Sequence, residues 1–137
     1  MKADAENALE LAVNKSVFDI GIKDSDGQDI QIFYPNHDLG SNKSNDTNDQ
    51  HLVVSILPID KLRSLMQISI KTLKGTGTTE SGRIKKLVKE FFKEEGKEIA
   101  QDGFSFYFSL DDPDPYFFVD GFMVQPVSLI VKYIKRC

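Results

Sequence analysis

The sequence has little of what metal centres, disulfide scaffolds and membrane spans are made from. Its 137 residues include no Trp, one Cys and two His. A single cysteine cannot form an internal disulfide, and no apolar run approaches the roughly 20 residues of a transmembrane helix. The opening "MKADAENALELAV" carries acids where a signal peptide needs a basic end. We therefore expect a soluble protein of the reducing cytoplasm with no membrane partner.

Positive charge is also scarce. Seventeen Lys and Arg stand against 21 Asp and Glu, which gives a net charge of −4. That balance argues against bulk attraction to DNA phosphates or anionic lipid. A hydrophobic fraction of 40% over 1–137 suits a single domain with its own core.

Apolar periodicity predicts a helix, three strands, a second helix and two or three closing strands. Met66, Ile68 and Ile70 alternate with polar residues, as in a half-buried strand, whereas Leu9 and Val13 recur at helical spacing. The second helix should bury Ile84, Leu87, Val88 and Phe91. The predicted elements are helices at about 4–18 and 81–97, strands at about 29–34, 51–59, 65–73, 104–110 and 122–133, and a long polar loop at 37–50. Strands grouped in runs favour the α+β class: a mainly antiparallel sheet of about five strands, with two amphipathic helices packed on one face.

The two histidines do not have the spacing of a metal site. His37 and His51 lie fourteen residues apart in polar sequence, whereas a zinc site brings together three or four ligands at short spacings. Nor does either stand beside a recognisable nucleophile or orienting carboxylate. We predict no metal ligand, no catalytic residue and no cofactor, and we interpret both histidines as bystanders.

A glycine-rich turn has part of the pattern of a phosphate-binding loop. Gly77 and Gly82 have the Walker A spacing, but Arg83 and an isoleucine stand where that motif needs Lys and then Ser or Thr. The simpler interpretation is a flexible turn in which Thr79 or Ser81 caps the second helix.

The acidic turns do not match a calcium loop either. Counting from Asp24, the glycine of "DSDGQD" comes fourth and the twelfth residue is Pro35, whereas an EF-hand needs Gly sixth and Glu twelfth. No enzyme signature remains, and we predict that the protein is not an enzyme.

The order of segments resembles the tail terminator (minor tail protein) family of long-tailed bacteriophages and the small uncharacterised phage proteins grouped with it. The resemblance begins with "IQIFYPN", a polar loop, "HLVVSILPI" and the alternating "LMQISIKTL". A glycine-containing turn, a helix ending in paired Phe, "GFSFYFSL" and "MVQPVSLIVKYI" follow. It covers nearly the whole chain, from the first helix to Tyr133.

The resemblance implies a structural protein of the virion tail of a phage or prophage, assembled in the bacterial cytoplasm. Such proteins form a ring, usually of six subunits, that caps the finished tail tube and joins it to the head-side connector. The implied partners are further copies of the chain, the tail-tube protein and the head-tail connector protein, with DNA only passing through non-specifically.

Ring assembly needs two complementary patches per subunit, and loops commonly supply one. We expect residues 37–51 and 74–82 to be mobile in the monomer and to lie at assembly surfaces. The assembly-interface candidates are Asn36, His37, Asp38, Asn45, Asp46, Asp49, Lys74, Thr76, Thr78, Asp111, Asp112 and Asp114. The alternative is a small acidic adaptor or immunity-type protein that docks one partner through acidic loops.

Overall fold

Two helices and seven strands follow one another in the computed structural model of the chain, which describes residues 3–23, 27–34, 50–73, 79–93, 97–111, 115–119 and 121–135. The elements are α1 (Ala3–Ile20), β1 (Gln31–Phe33), β2 (His51–Pro58), β3 (Arg63–Leu73), α2 (Thr79–Phe92), β4 (Lys97–Gln101), β5 (Phe104–Asp111), β6 (Phe117–Val119) and β7 (Phe122–Lys135).

The strands form one curled sheet in the order β1-β2-β3-β7-β5-β4, and β6 pairs with β7. The β1–β2 pair is parallel, whereas the other pairs are antiparallel. The prediction of an α+β fold with a mainly antiparallel sheet is therefore confirmed. The predicted strand count was wrong, since the described ranges contain seven strands rather than about five.

The 14-residue strand β7 organises this sheet. One side of β7 pairs with β3 along its first eleven residues. Its other side pairs with β6 at 122–124 and with β5 at 128–135. Hence β6 lies at the start of β7, and the β2–β3 connection lies at its opposite end.

The core follows the predicted alternation. Met66, Ile68 and Ile70 of β3 are fully buried, while Gln67 and Ser69 between them are half-buried. One buried cluster joins the helices to the inner side of the sheet. From the helices it contains Ala5, Ala8, Leu9, Ala12, Val13, Ile84, Val88 and Phe92. Leu87 and Phe91, predicted to be buried, pack against this cluster and are partly exposed.

The two helices pack differently from one another. Helix α2 contacts the central strands β3, β7 and β5, whereas α1 contacts β4, β5 and α2. The Tyr34 hydroxyl, just after β1, donates to the Glu10 carbonyl oxygen of α1 at 3.3 Å. Helix α1 therefore reaches towards both margins of the sheet, β4 directly and β1 through Tyr34.

The second helix was predicted too long. It ends at Phe92, and Lys97–Gln101 forms β4 instead of a last helical turn. Its Lys and Glu residues have good helix propensity, but pairing with β5 places Ile99 opposite Phe106. The Lys97 ammonium lies 3.9 Å from the centroid of the Phe91 ring. Tertiary packing thus overrides local propensity here.

An Asp-Gly pair stands between β4 and β5, and a second Asp-Gly pair stands between β6 and β7. Asp102 (φ 50°) and Gly103 (φ 81°) connect β4 to β5, and positive φ at both positions is the type I′ hairpin geometry. Val119 pairs with Phe122, so Asp120 and Gly121 connect β6 to β7. The strands missed by the prediction, β4 and β6, both belong to these hairpins.

Candidate functional site

Most of the predicted assembly residues lie outside the described ranges. This applies to Asn36, His37, Asp38, Asn45, Asp46, Asp49, Lys74, Thr76, Thr78, Asp112 and Asp114. Asp111 is described; it is exposed and ends β5 opposite Ser128.

His51 does not belong to a mobile surface segment, so the expectation for 37–51 was wrong at its last residues. Its side chain is fully buried at the first position of β2. The rings of Phe33 and Phe122 meet the imidazole edge-on, with centroids 5.3 and 5.1 Å away. Alternation puts all three rings on the outer side of the sheet, because the neighbouring Leu52 belongs to the main core. His51 is therefore a packing residue of a small aromatic cluster.

The end of the second predicted assembly segment, 74–82, is also ordered. Residues 79–82 form the first turn of α2, where Ser81 is buried and Thr79 is the first helical residue. Ser81 is thus inside the helix and does not cap it.

A polar network holds the start of α2 to neighbouring segments. Arg83, which stands at the Walker lysine position, binds the Glu80 carboxylate at 2.6 Å. The Gln50 amide donates to Glu80 at 3.1 Å and to the Lys23 carbonyl oxygen at 3.2 Å. Hydrogen bonds from Arg83, and then from Gln50, lower the pKa of Glu80. The network is structural, and it engages Arg83, the residue at the Walker lysine position, with Glu80.

Within the described ranges, no three His, Cys, Asp or Glu side chains come together as a metal site. No helix in the same ranges is long and apolar enough to span a membrane. A groove of about 380 Å³ runs along α2, lined by Lys85, Lys86, Lys89, Lys93, Gly82, Glu90 and Leu110. Lys93 pairs with Glu90 at 3.0 Å. The charged residues that line the groove all belong to α2, and they include four lysines and Glu90.

The unusual feature of the surface is exposed apolar side chains at one end of β7. Tyr116, Phe117, Phe118 and Val119 are consecutive, and all four are exposed, with 49% exposure at Phe117. We call Tyr116–Val119 the β6 surface. In the described part of the chain β6 pairs with β7 alone, so its other edge faces outward. An exposed apolar edge strand is a template for pairing with another chain.

A second exposed apolar group lies at the opposite end of β7. We call its members the turn surface: Leu57, Ile59, Leu62 and Ile134. Leu57 and Leu62 are more than half exposed, at 63% and 60%.

Hydrogen bonds hold the turn surface rigidly. The Asp60 carboxylate accepts the backbone N–H groups of Leu62 and Arg63 at 3.0 and 2.9 Å, and also the Arg63 guanidinium. These donors, the Leu62 amide first, lower the pKa of Asp60. The Tyr133 hydroxyl donates to the Lys61 carbonyl oxygen at 2.8 Å, and its N–H donates to the Leu62 carbonyl oxygen at 3.0 Å. The turn is therefore tied to itself and to β7.

The two surfaces differ in charge and are well separated. Lys61, Lys132 and Lys135 are exposed beside the turn surface. Asp111 is exposed opposite Ser128, about midway between the two surfaces, and Asp112, Asp114 and Asp120, which lie outside the described ranges, are close to Tyr116–Val119 in the sequence. Lys71 pairs with Val124 at that end, and the sequence adds Lys74 directly after β3, which lies outside the described ranges. About ten residues of β7 separate the surfaces, roughly 30 Å at about 3.3 Å per residue.

The sequence interpretation missed both surfaces. The signal for the β6 surface was four consecutive apolar residues between "DDPDP" and Asp-Gly. The signal for the turn surface was weaker, because Leu62 and Ile134 are far apart in the sequence.

Comparison with known proteins gives a fold and no family. No family model matches the chain, and no curated protein matches it. A solved structure whose title states no activity is similar at a TM-score of 0.65 and 12% identity, over 96% of this chain and 97% of that chain. At that identity the likeness concerns the fold alone.

Proposed function

We propose that the protein is a phage or prophage structural protein that assembles into a ring, caps the tail tube and joins it to the head-side connector, as tail terminators do. The observation that carries this proposal is the pair of unlike exposed apolar surfaces at opposite ends of β7. A head-to-tail ring needs two different patches on each subunit, whereas a two-fold dimer needs only one.

The fold and the charge balance support the same proposal. A mainly antiparallel sheet with helices is the architecture that the tail terminator resemblance implies. The partners proposed are other copies of this chain, most simply six in a ring, together with the tail-tube protein and the head-side connector protein. A net charge of −4 suits a conduit along which DNA passes without being held.

The test is capping of a growing tube. Purified chain would be added to self-assembling tail-tube protein encoded in the same gene cluster, and tube lengths would be measured by negative-stain microscopy. We expect shorter tubes that bear rings at one end, and rings with a central hole in the chain alone at high concentration. Tubes of unchanged length without terminal rings would contradict the proposal.

A second candidate is an adaptor or immunity-type protein that docks one partner. The exposed aromatic edge of β6 beside acidic residues is the observation that favours it. A stable 1:1 complex with a protein encoded next to it, without rings or capped tubes, would favour this candidate.

A further inference from the structure

We propose that the β6 surface of one copy binds the turn surface of the next copy, in a head-to-tail contact. This inference rests on the proposed function and names the contact that closes the ring. The occupant of each surface is a second copy of this chain, because the other surface of the same chain has the properties that a partner would need.

The first property is apolar area. The β6 surface offers the aromatic side chains of Tyr116, Phe117 and Phe118, all exposed. The turn surface offers aliphatic side chains, and alternation extends it along the outer side of the sheet to the half-buried Leu65 and Ile130. Aromatic anchors against an aliphatic surface are typical of interface centres.

The second property is charge. Lys61, Lys132 and Lys135 are exposed at the end of the turn surface, where the exposed acids Glu98 and Asp102 also lie. Arg63 there is paired with Asp60 at 2.9 Å, so the described charges at this end leave a small positive excess. The β6 surface is preceded by the exposed Asp111 and has three further aspartates next to it in the sequence. Opposite charge around apolar centres favours the unlike pairing and disfavours pairing of either surface with itself.

The third property is geometry. The nearest parts of the two surfaces, at Ile130 and Val124, lie roughly 20 Å apart along β7, so one molecule cannot bring the two surfaces together within itself. Hydrogen bonds to Asp60 and Tyr133 hold the backbone of the turn, so its conformation is set before association. Preorganisation of this kind lowers the entropic cost of binding.

Two complementary variants test the contact. Phe117→Lys blocks the β6 surface and Leu62→Asp blocks the turn surface. Each variant alone should associate at least about tenfold more weakly than the wild type, as judged by sedimentation. Mixing the two should restore a 1:1 complex, because each retains the surface that the other has lost. Leu11→Lys and Leu11→Asp, at an exposed leucine of α1, are matched controls that should associate normally.

Val119→Lys and Ile134→Asp provide a second pair if either first variant fails to fold, as judged by circular dichroism. Self-association of Leu62→Asp with no gain on mixing would overturn the contact in favour of like-with-like pairing. If the wild type forms rings that cap tubes and both variants remain fully associated, the contact is overturned. The proposed function then still stands. A wild type that is monomeric at about 1 mM and leaves tubes uncapped would overturn both.

Discussion

At the residue scale, His51 shows how burial changes the meaning of a side chain. In the sequence it closes a polar stretch that holds both histidines, where a metal ligand is a natural hypothesis. In the fold it lies between Phe33 and Phe122, fully buried, and its ring fills space on the outer side of the sheet. Its contribution is packing rather than coordination.

Replacing His51 should therefore affect stability through volume. His51→Ala removes two edge-on ring contacts and leaves a cavity, so we expect the free energy of unfolding to fall by about 2–4 kcal/mol. His51→Phe keeps a ring of similar size and should cost about 1.5 kcal/mol or less. Urea unfolding of the three proteins checks this order. An alanine variant as stable as the wild type would contradict the packing role.

At the element scale, the start of α2 depends on a charged network. Glu80 accepts hydrogen bonds from Arg83 and from Gln50, and Gln50 also binds the Lys23 carbonyl oxygen. The carboxylate therefore joins α2 to the residue before β2 and to the segment after α1. Because the Glu80 side chain is about one-third exposed, we expect its contribution to be modest.

The network predicts a pH dependence of stability. The pKa of Glu80 is lower in the folded chain than its ordinary value near 4.5, chiefly because Arg83 donates to its charged form. Its contribution is thus present above about pH 4.5 and is lost as the pH falls through the lowered folded pKa. Thermal melts of the wild type and of Glu80→Gln should differ at neutral pH and converge in acid. A difference that grows in acid would contradict this sign.

At the scale of the whole molecule, β7 connects two exposed apolar surfaces, one near each of its ends. It pairs with β3, β5 and β6, and it carries the β6 surface at its start and Ile134 of the turn surface near its end. The two surfaces are roughly 20–30 Å apart along β7, which is more than two Debye lengths at physiological salt. Added salt should therefore weaken a contact between copies that brings the charges around the two surfaces together.

Self-association of the wild type should weaken as salt rises. Between about 0.05 and 0.5 M NaCl we expect a several-fold increase in the dissociation constant, because Lys61, Lys132 and Lys135 at the turn surface are solvent-exposed. Lys132→Glu should reduce or reverse this dependence, whereas Lys86→Glu on α2 should leave it unchanged. Sedimentation equilibrium measures the dissociation constant of all three proteins at each salt concentration. An association in the wild type that is insensitive to salt would show that charge does not guide the contact.

Much of the fold was predictable because the relevant signal is local. The alternation around Ile68 predicted β3, and the apolar stripe through Ile84 and Val88 predicted α2. The end of α2 and strand β4 were not predicted, because Lys97–Gln101 has charged residues of good helix propensity and becomes a strand only by pairing with β5. The Asp-Gly pair at 102–103 was the available hairpin signal.

The sequence by itself determined the α+β class, the mainly antiparallel sheet and the faces that α2 and β3 bury, since periodicity depends on residues a few positions apart. Only the tertiary structure decided which apolar residues remain outside. Phe117 is exposed because, among the described elements, β6 packs mainly beside β7, and the Leu62 carbonyl oxygen meets β7 through the N–H of Tyr133, 71 positions later. Burial of a side chain depends on which distant segments cover it, and chain order does not contain that information.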